Sequence, residues 1–562
     1  MEAETEGAVP VKPRWYWRPV TWAVLCALVV GVPFLNKPYH IDDTMVLRVA
    51  EQILADPLRP FSGEINWRQD VEPIFEATTN PPFLSYYLAL FIALGGFSEP
   101  LLHTAMLLFL VVLAVAVVRL SERFAAGSLW PLFFVLFSPA VVVSSNAMRD
   151  VPVAALSAAA VLLFVQGSDE KRWPFMLAGS LLAGVAMLTK YSAVILFPVL
   201  ALYLLLYRRW RHLVWVLPGL ILLGLWCLQN LLVHGQTHLA YLMAERRGKL
   251  PWPDKFYAAL VILGASLFLL PGLLAEAAGR SQGGLLAGGV VTALFVPLGV
   301  LVHQQGHPPF QYLLWAQMGG VLFYGALFGG LRAVGKMMQR RAEKKDLDTF
   351  FLAGWLMAVF LFSVILVPFQ AVRHLIPALP PLVLLLMREL APPGASEPRW
   401  LRGTLGALAL LQGGMAFLVA VADYEYADTY RRFAAEATQR LFRPGQEVWF
   451  TGSWGWQFYA RQAGFRQLAA HGPRPQPGDL LLEPQRVHKG RFPKGLRRQL
   501  VLWEEREYPG RLPLRTMNGF KGASFYAVVR ENVPYLFTRD KVLEIFRVYR
   551  VAEPKSKPRE QP

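Results

Sequence analysis

Asp42 and Asp43 stand side by side just past the first long apolar run, where a chain leaving a bilayer meets water, and the amphipathic stretch Thr44 to Ala55 follows at once. A hydroxyl is a poor nucleophile at neutral pH. A carboxylate within hydrogen-bond reach can take its proton while the oxygen bonds to an electrophilic carbon. Asp42 is placed for that, and Asp43 could orient the hydroxyl, assist a metal or cap the helix that starts at Thr44. The competing reading makes both residues helix caps, since aspartate suits a helix N-terminus on hydrogen-bonding and dipole grounds.

Other ionisable residues interrupt apolar surroundings, where a charge is costly unless it faces water or a partner. Asp150 closes a turn in Asn146-Ala147-Met148-Arg149-Asp150-Val151-Pro152, either as a functional carboxylate or as a salt-bridge partner of Arg149. Lys190, in Leu188-Thr189-Lys190-Tyr191, either marks a turn between two helices or offers a compact ammonium to a phosphate or carboxylate. Arg373 and His374 open the run to Pro380-Pro381, and a guanidinium matches phosphate oxygens bidentately. Arg246 and Arg247 lie in a longer polar loop, where a basic pair could also anchor to lipid head groups. His303 and His307 are four apart, but Gly306 and Pro308 argue against a helical ligand pair. His40 stands alone. The sequence leaves the metal unknown and a divalent cation open.

The elements that must position these residues are membrane helices. Over 562 residues the chain is 54% hydrophobic, gathered into long runs, which indicates a polytopic membrane protein and not a soluble globule. Lys12, Arg14 and Arg18 precede the first run, as in an uncleaved signal anchor with a cytoplasmic start. Cys26 and Cys227 both sit in apolar runs and imply no disulfide framework. The net charge of +17 is concentrated in the last quarter, which suits anionic head groups or acidic glycans as well as a merely basic soluble domain.

Charge also settles the threading. The run Phe83 to Phe97 is short for a crossing and reads as an interfacial or re-entrant helix. With it left out, the spans fall near 20–35, 100–118, 128–145, 151–166, 174–189, 191–207, 212–232, 257–276, 285–302, 311–331, 350–367, 372–387 and 403–421, about thirteen crossings. The basic loops then share one side, which becomes the cytoplasm. Asp42, Asp43, Asp150, Lys190, Arg373 and His374 share the other. From Asp423 the composition turns soluble. Glu447 to Phe450, Asp479 to Leu482, Leu500 to Trp503 and Phe525 to Val529 read as strands and Trp454 to Ala463 as a helix, which suggests an external α/β domain over 423–553. The transmembrane domain covers 1–422, with an external catalytic loop at 36–82, and 554–562 reads as a disordered tail.

The run Asp42 to Ile53 after a first span resembles the Asp-Glu motif of the GT-C class of membrane glycosyltransferases, in particular bacterial relatives of protein O-mannosyltransferases and of the lipid A aminoarabinose transferase. Asn80-Pro81-Pro82-Phe83 and Arg373 to Leu382 resemble two further segments of that class. The resemblance implies a catalytic Asp42 with Asp43 as its acidic partner, an acidic residue close to it at Asp150, and a mobile loop that closes over the lipid at Arg246 and Arg247; on side-chain chemistry Lys190, Arg373 and His374, with Arg246 and Arg247, are the candidates for a donor phosphate. The chain departs from the class with Asp43 in place of Glu, Asn80 where a Lys often stands, and His374 where Tyr is frequent.

The expected function is therefore an inverting glycosyltransferase on the periplasmic or exterior face of a bacterial-type inner membrane. It would move a sugar from a polyprenyl-phosphate donor to a hydroxyl of protein, lipid A or glycan. Membrane lipids are the other expected partners, and nucleic acid is not one. A lipid or solute transporter, or a glycan ligase, is the alternative; a transporter would need ionisable gating residues at mid-membrane depth, and here they gather at one surface.

Overall fold

The computed structural model describes residues 19–245, 250–267, 310–390, 398–441, 446–486, 492–518, 522–529 and 532–553. Six helices among them are long and apolar enough to cross a bilayer: Glu99–Phe124, Asp150–Asp169, Trp210–His234, Phe310–Met338, Lys344–Leu366 and Arg399–Leu441. The chain is thus a multi-pass membrane protein. Shorter apolar helices cover Pro19–Phe34, Phe83–Gly95, Trp173–Thr189 and Tyr191–Leu206.

The expected count of about thirteen is not reproduced as thirteen continuous helices. The run 128–145 forms two pieces, Trp130–Leu136 and Pro139–Val143, broken where Ser138 caps a helix opened by Pro139. The run 372–387 begins as a 3-10 turn, Val372–Ala378, with Pro377 inside it, before Leu379–Leu390 continues as an α-helix. The run 257–276 is represented by Trp252–Ser266, and 285–302 lies outside the described residues.

Helix ends gather at two poles. At one, Arg123 pairs with Asp169 at 2.8 Å and Asp348 at 3.0 Å, Arg209 with Asp169 at 2.7 Å, and Lys336 with Asp346 at 2.7 Å. Arg123, Arg209 and Lys336 come from the basic loops that the charge asymmetry groups on one side. The other pole collects the segments that carry Asp42, Asp150, Lys190 and Arg373. The Glu99–Phe124 helix, 26 residues or about 39 Å at 1.5 Å per residue, joins the two.

The Phe83–Gly95 helix begins and ends at the second pole. Near its start Ser85 donates to the Val46 carbonyl at 2.9 Å, and just past its end Glu99 accepts from Tyr459 at 2.9 Å. At 13 residues it is also too short to reach the other pole.

Beyond the membrane helices lies a five-stranded mixed sheet. We number the strands in chain order: β1 (Glu64–Asn66), β2 (Val71–Pro73), β3 (Val448–Phe450), β4 (Arg466–Gln467), β5 (Leu480–Pro484), β6 (Leu500–Pro509), β7 (Leu514–Arg515), β8 (Leu536–Phe537) and β9 (Val542–Val551). The order is β4-β3-β5-β9-β6, with β3 parallel to both neighbours and β9 antiparallel to both of its own. Phe525 to Val529, expected as a strand, is not part of the sheet. It runs instead along the segment before Arg373, where Val528 donates to the Gln370 carbonyl at 2.7 Å and Val372 to the Phe525 carbonyl at 3.2 Å.

The change of composition at Asp423 falls inside one 43-residue helix, Arg399–Leu441. Phe433 near its end stacks on Phe546 of β9 with ring centres 3.8 Å apart, and one contiguous hydrophobic core runs from the membrane helices into the sheet. Helix and sheet are coupled by packing across the point where the sequence looks like a boundary. The tail 554–562 lies outside the described residues.

Candidate active site

Asp42 ends a strained turn. Ile41, a β-branched residue directly before Asp42, has φ 48, in the left-handed region that such residues rarely occupy. Asp42 is the N-cap residue of the Asp43–Ala55 helix, yet its carboxylate makes no capping bond. It accepts instead from Arg373 Nη2 at 2.7 Å. Arg373 Nε lies 3.7 Å from Asp150 Oδ2, and Lys190 Nζ donates to Asp150 Oδ1 at 2.6 Å. Four residues far apart in sequence thus form an alternating row, Asp42, Arg373, Asp150, Lys190. The capping alternative fails for Asp42, and Asp150 is held by Lys190 and Arg373 instead of by Arg149.

The row lies on the wall of a cavity of about 410 Å³ lined also by Arg149, His374, Asn80, Trp67, Trp454 and Tyr526. Asp42 keeps 37% of its side chain exposed there, whereas Arg373 and Asp150 are 7% and 5% exposed. Among the described residues, Arg373 Nη1, Arg149 Nε and Nη2, and His374 Nδ1 are buried without a hydrogen-bond partner. Leaving the buried N–H groups of Arg149 and Arg373 unmade is costly, and their convergence on one cavity marks a place for an acceptor-rich ligand.

Asp43 points elsewhere. It is 0% exposed, is absent from the cavity wall, and accepts from the His40 backbone N–H at 2.7 Å. Burial pushes its carboxyl up to about 8, against which that backbone donor and the Lys37 charge pull only in part. His40 is enclosed by the rings of Tyr426, Tyr430 and Tyr526, and burial holds it neutral, with a pKa near 4.

Behind the row lies a network that the sequence did not disclose. Lys37, 2% exposed, donates to Asp423 at 2.7 Å, Asn146 at 2.7 Å and the Val143 carbonyl at 3.1 Å. Asp423 also accepts from Thr516 and Tyr526, each at 2.7 Å. Tyr526 in turn places its ring under Arg373, 5.7 Å from the guanidinium carbon. The extended segment 525–529 therefore helps to fix Arg373. Lys37 and Asp423 are visible in the sequence as charges flanking apolar runs, a signal shared by ordinary loop charges. Arg149 was visible only as a neighbour of Asp150.

The donor set suits an anion better than a divalent cation. Both wall carboxylates already face cations, and Arg149, Lys190 and Arg373 outnumber Asp42 and Asp150. Among the described residues no group of three or more His, Cys, Asp or Glu is placed to hold a metal ion. Arg246, Arg247, His303 and His307 lie outside the described residues.

No curated protein sequence matches the chain. Solved structures similar to it include an oligosaccharyltransferase of Archaeoglobus fulgidus in the apo form, 13% identical with a TM-score of 0.47, over 82% of this chain and 65% of that one. This chain thus spans just under two thirds of the archaeal protein's length. Another is ArnT of Cupriavidus metallidurans bound to undecaprenyl phosphate, 14% identical with a TM-score of 0.42, over 82% of this chain and 92% of that one. A family model described as dolichyl-phosphate-mannose-protein mannosyltransferase matches residues 79–234, the stretch that holds Asn80, Arg149, Asp150 and Lys190. Through that match and the motifs at Asp42, Asn80 and Arg373, the chain resembles the GT-C class of membrane glycosyltransferases.

Proposed function

We propose that this chain is an inverting glycosyltransferase that takes a sugar from a polyprenyl-phosphate carrier to an acceptor hydroxyl on the external face of a bacterial-type inner membrane. One observation carries the reading. Asp42 borders a cavity of about 410 Å³ and touches Arg373, whose Nη1, like Nε and Nη2 of Arg149, is buried without a partner among the described residues. A base and a set of anion-binding donors thus face one space large enough for a ligand.

In this reading the acceptor oxygen loses its proton to Asp42 and bonds to the anomeric carbon. The bond from that carbon to the phosphate oxygen breaks on the opposite side, and its electron pair leaves with the lipid phosphate. Arg373, Arg149 and Lys190 offset the charge that appears on the leaving oxygen. The contact between Asp42 and Arg373 couples the two events. As Asp42 becomes neutral its hold on the guanidinium falls, and the positive charge becomes available to the phosphate.

The match of 79–234 to a family named for a dolichyl-phosphate sugar donor supports a lipid-phosphate donor. The segments over 423–553 are proposed as an external α/β domain that walls the acceptor side, since Trp454, Met517 and Tyr526 line the cavity. The test is purified protein in sealed vesicles supplied with radiolabelled polyprenyl-phosphate sugar. A transferase transfers label to an added membrane extract and frees the lipid phosphate. Movement of intact labelled lipid across the bilayer with no cleavage would instead establish a transporter.

A further inference from the structure

His238 lies outside the row of four, is 1% exposed, and joins three pieces of the same cavity wall. It opens the His238–Ala244 helix, whose first turn is capped where the Thr237 hydroxyl accepts the Ala240 N–H at 3.2 Å. That helix gives Leu242 and Met243 to the wall, the coil after Ile74–Ala77 gives Thr78 and Asn80, and the turn after Trp173–Thr189 gives Lys190 and Tyr191.

Both ring nitrogens are engaged. Nε2 lies 3.2 Å from the Thr78 carbonyl and Nδ1 lies 3.0 Å from the Tyr191 hydroxyl, whose oxygen accepts from Trp226 Nε1 at 2.9 Å. Burial holds the ring neutral, with a pKa of about 4, so it carries a single N–H. A carbonyl can only accept, which puts that N–H on Nε2 and leaves Nδ1 to accept the Tyr191 proton. The bonds therefore run one way, from Trp226 through Tyr191 to His238 and on to Thr78.

Packing alone does not call for an imidazole here. Phe61 and Phe75 meet the ring edge to face, with centres 5.1 and 5.2 Å away, and a phenylalanine would fill much the same space. It would not supply the two bonds from different edges of the ring that tie the turn at Tyr191 to the coil at Thr78. Lys190, next to Tyr191, donates to Asp150 at 2.6 Å, so the same tie bears on the row that faces the cavity.

We propose that His238 is a positioning residue for the donor phosphate, acting through Lys190 by fixing the turn at Tyr191 against the coil at Thr78. This rests on the transferase reading above and on the place it gives Lys190. The experiment is a double-mutant cycle in the full chain in detergent, with His238→Phe, Lys190→Gln and the two combined. Turnover of a polyprenyl-phosphate sugar is read as kcat/KM beside the thermal midpoint of each variant.

His238→Phe should lower kcat/KM about tenfold or more, the scale of one charge-assisted contact held out of place. His238→Gln, whose amide keeps one donor and one acceptor, should recover to within about threefold of the parent. In the Lys190→Gln background His238→Phe should cost less than about twofold more, because the group it acts through is already gone. Tyr191→Phe, which removes only the hydroxyl between Trp226 and His238, takes the place of His238→Phe in the cycle should that variant not fold. Additive losses, or activity kept by His238→Phe and lost by His238→Gln, overturn the positioning role and leave the transferase reading standing where the parent cleaves donor in an Asp42-dependent way. Absence of any donor cleavage by the parent overturns both.

Discussion

Replacing Arg373 separates catalysis from folding. In Arg373→Gln the guanidinium that touches Asp42 at 2.7 Å and approaches Asp150 at 3.7 Å is gone. Asp150 keeps Lys190 at 2.6 Å, and Asp42 has 37% of its side chain exposed, so water can take over much of the lost pairing. The stability cost is therefore nearer that of an exposed ion pair, about 1 kcal/mol, than the roughly 3–5 kcal/mol of a fully buried charge left alone. The transition state has no such substitute. Removing one oriented donor from a developing anion in a closed site costs about 3–4 kcal/mol, or about 10²–10³ in turnover. The assay pairs turnover of a polyprenyl-phosphate sugar with thermal unfolding in the same detergent. Turnover within about threefold of the parent would refute the role given to Arg373, as would a fall in turnover matched by a comparable loss of folded protein.

Arg149→Gln should raise the dissociation constant for polyprenyl phosphate by about tenfold, the order expected for one charge-assisted bond, as measured by isothermal calorimetry. Lys37→Met strips the buried Asp423 of its cation and should cost about 3–5 kcal/mol, read as a large drop in midpoint temperature, while Lys37→Met with Asp423→Leu should recover part of it. Asp43 titrates higher in the fold than in the unfolded chain, so the native state holds its proton more tightly; that contribution is full below about pH 4 and is lost as pH rises through about 8. Asp43→Asn should flatten the decline in midpoint temperature between about pH 4 and 8 and leave turnover largely intact, because Asp43 does not line the cavity.

Charges in apolar context were the legible part of the site. Asp42, Asp150, Lys190 and Arg373 each interrupt or flank an apolar run, the cost of such a charge demands a partner, and sidedness of the basic loops put them on one face. The structure brings all four to one cavity wall, together with His374, which the sequence also put on that face. What separates Asp42 from Asp43 was not legible, because it lies in tertiary surroundings: Asp42 meets Arg373 at the cavity wall, while Asp43 is fully buried on the His40 backbone N–H. Nor was the pairing of Lys37 with Asp423, 386 positions apart, which has no local signature. Span counting is met only in part among the described residues: Pro139 and Pro377 split two apolar runs into short pieces, since hydropathy registers length and not helical continuity. Phe525 to Val529 has strand composition, but its pairing is with the approach to Arg373 and not with the sheet.

The central claim is that Asp42 takes the acceptor's proton. Radiolabelled donor turnover by the parent and by Asp42→Asn, measured beside the affinity of each for polyprenyl phosphate, tests it most directly. The substitution should remove at least about 10²-fold of turnover while lipid-phosphate affinity stays within a few-fold of the parent. Loss of affinity in step with loss of turnover, or turnover retained, would contradict it.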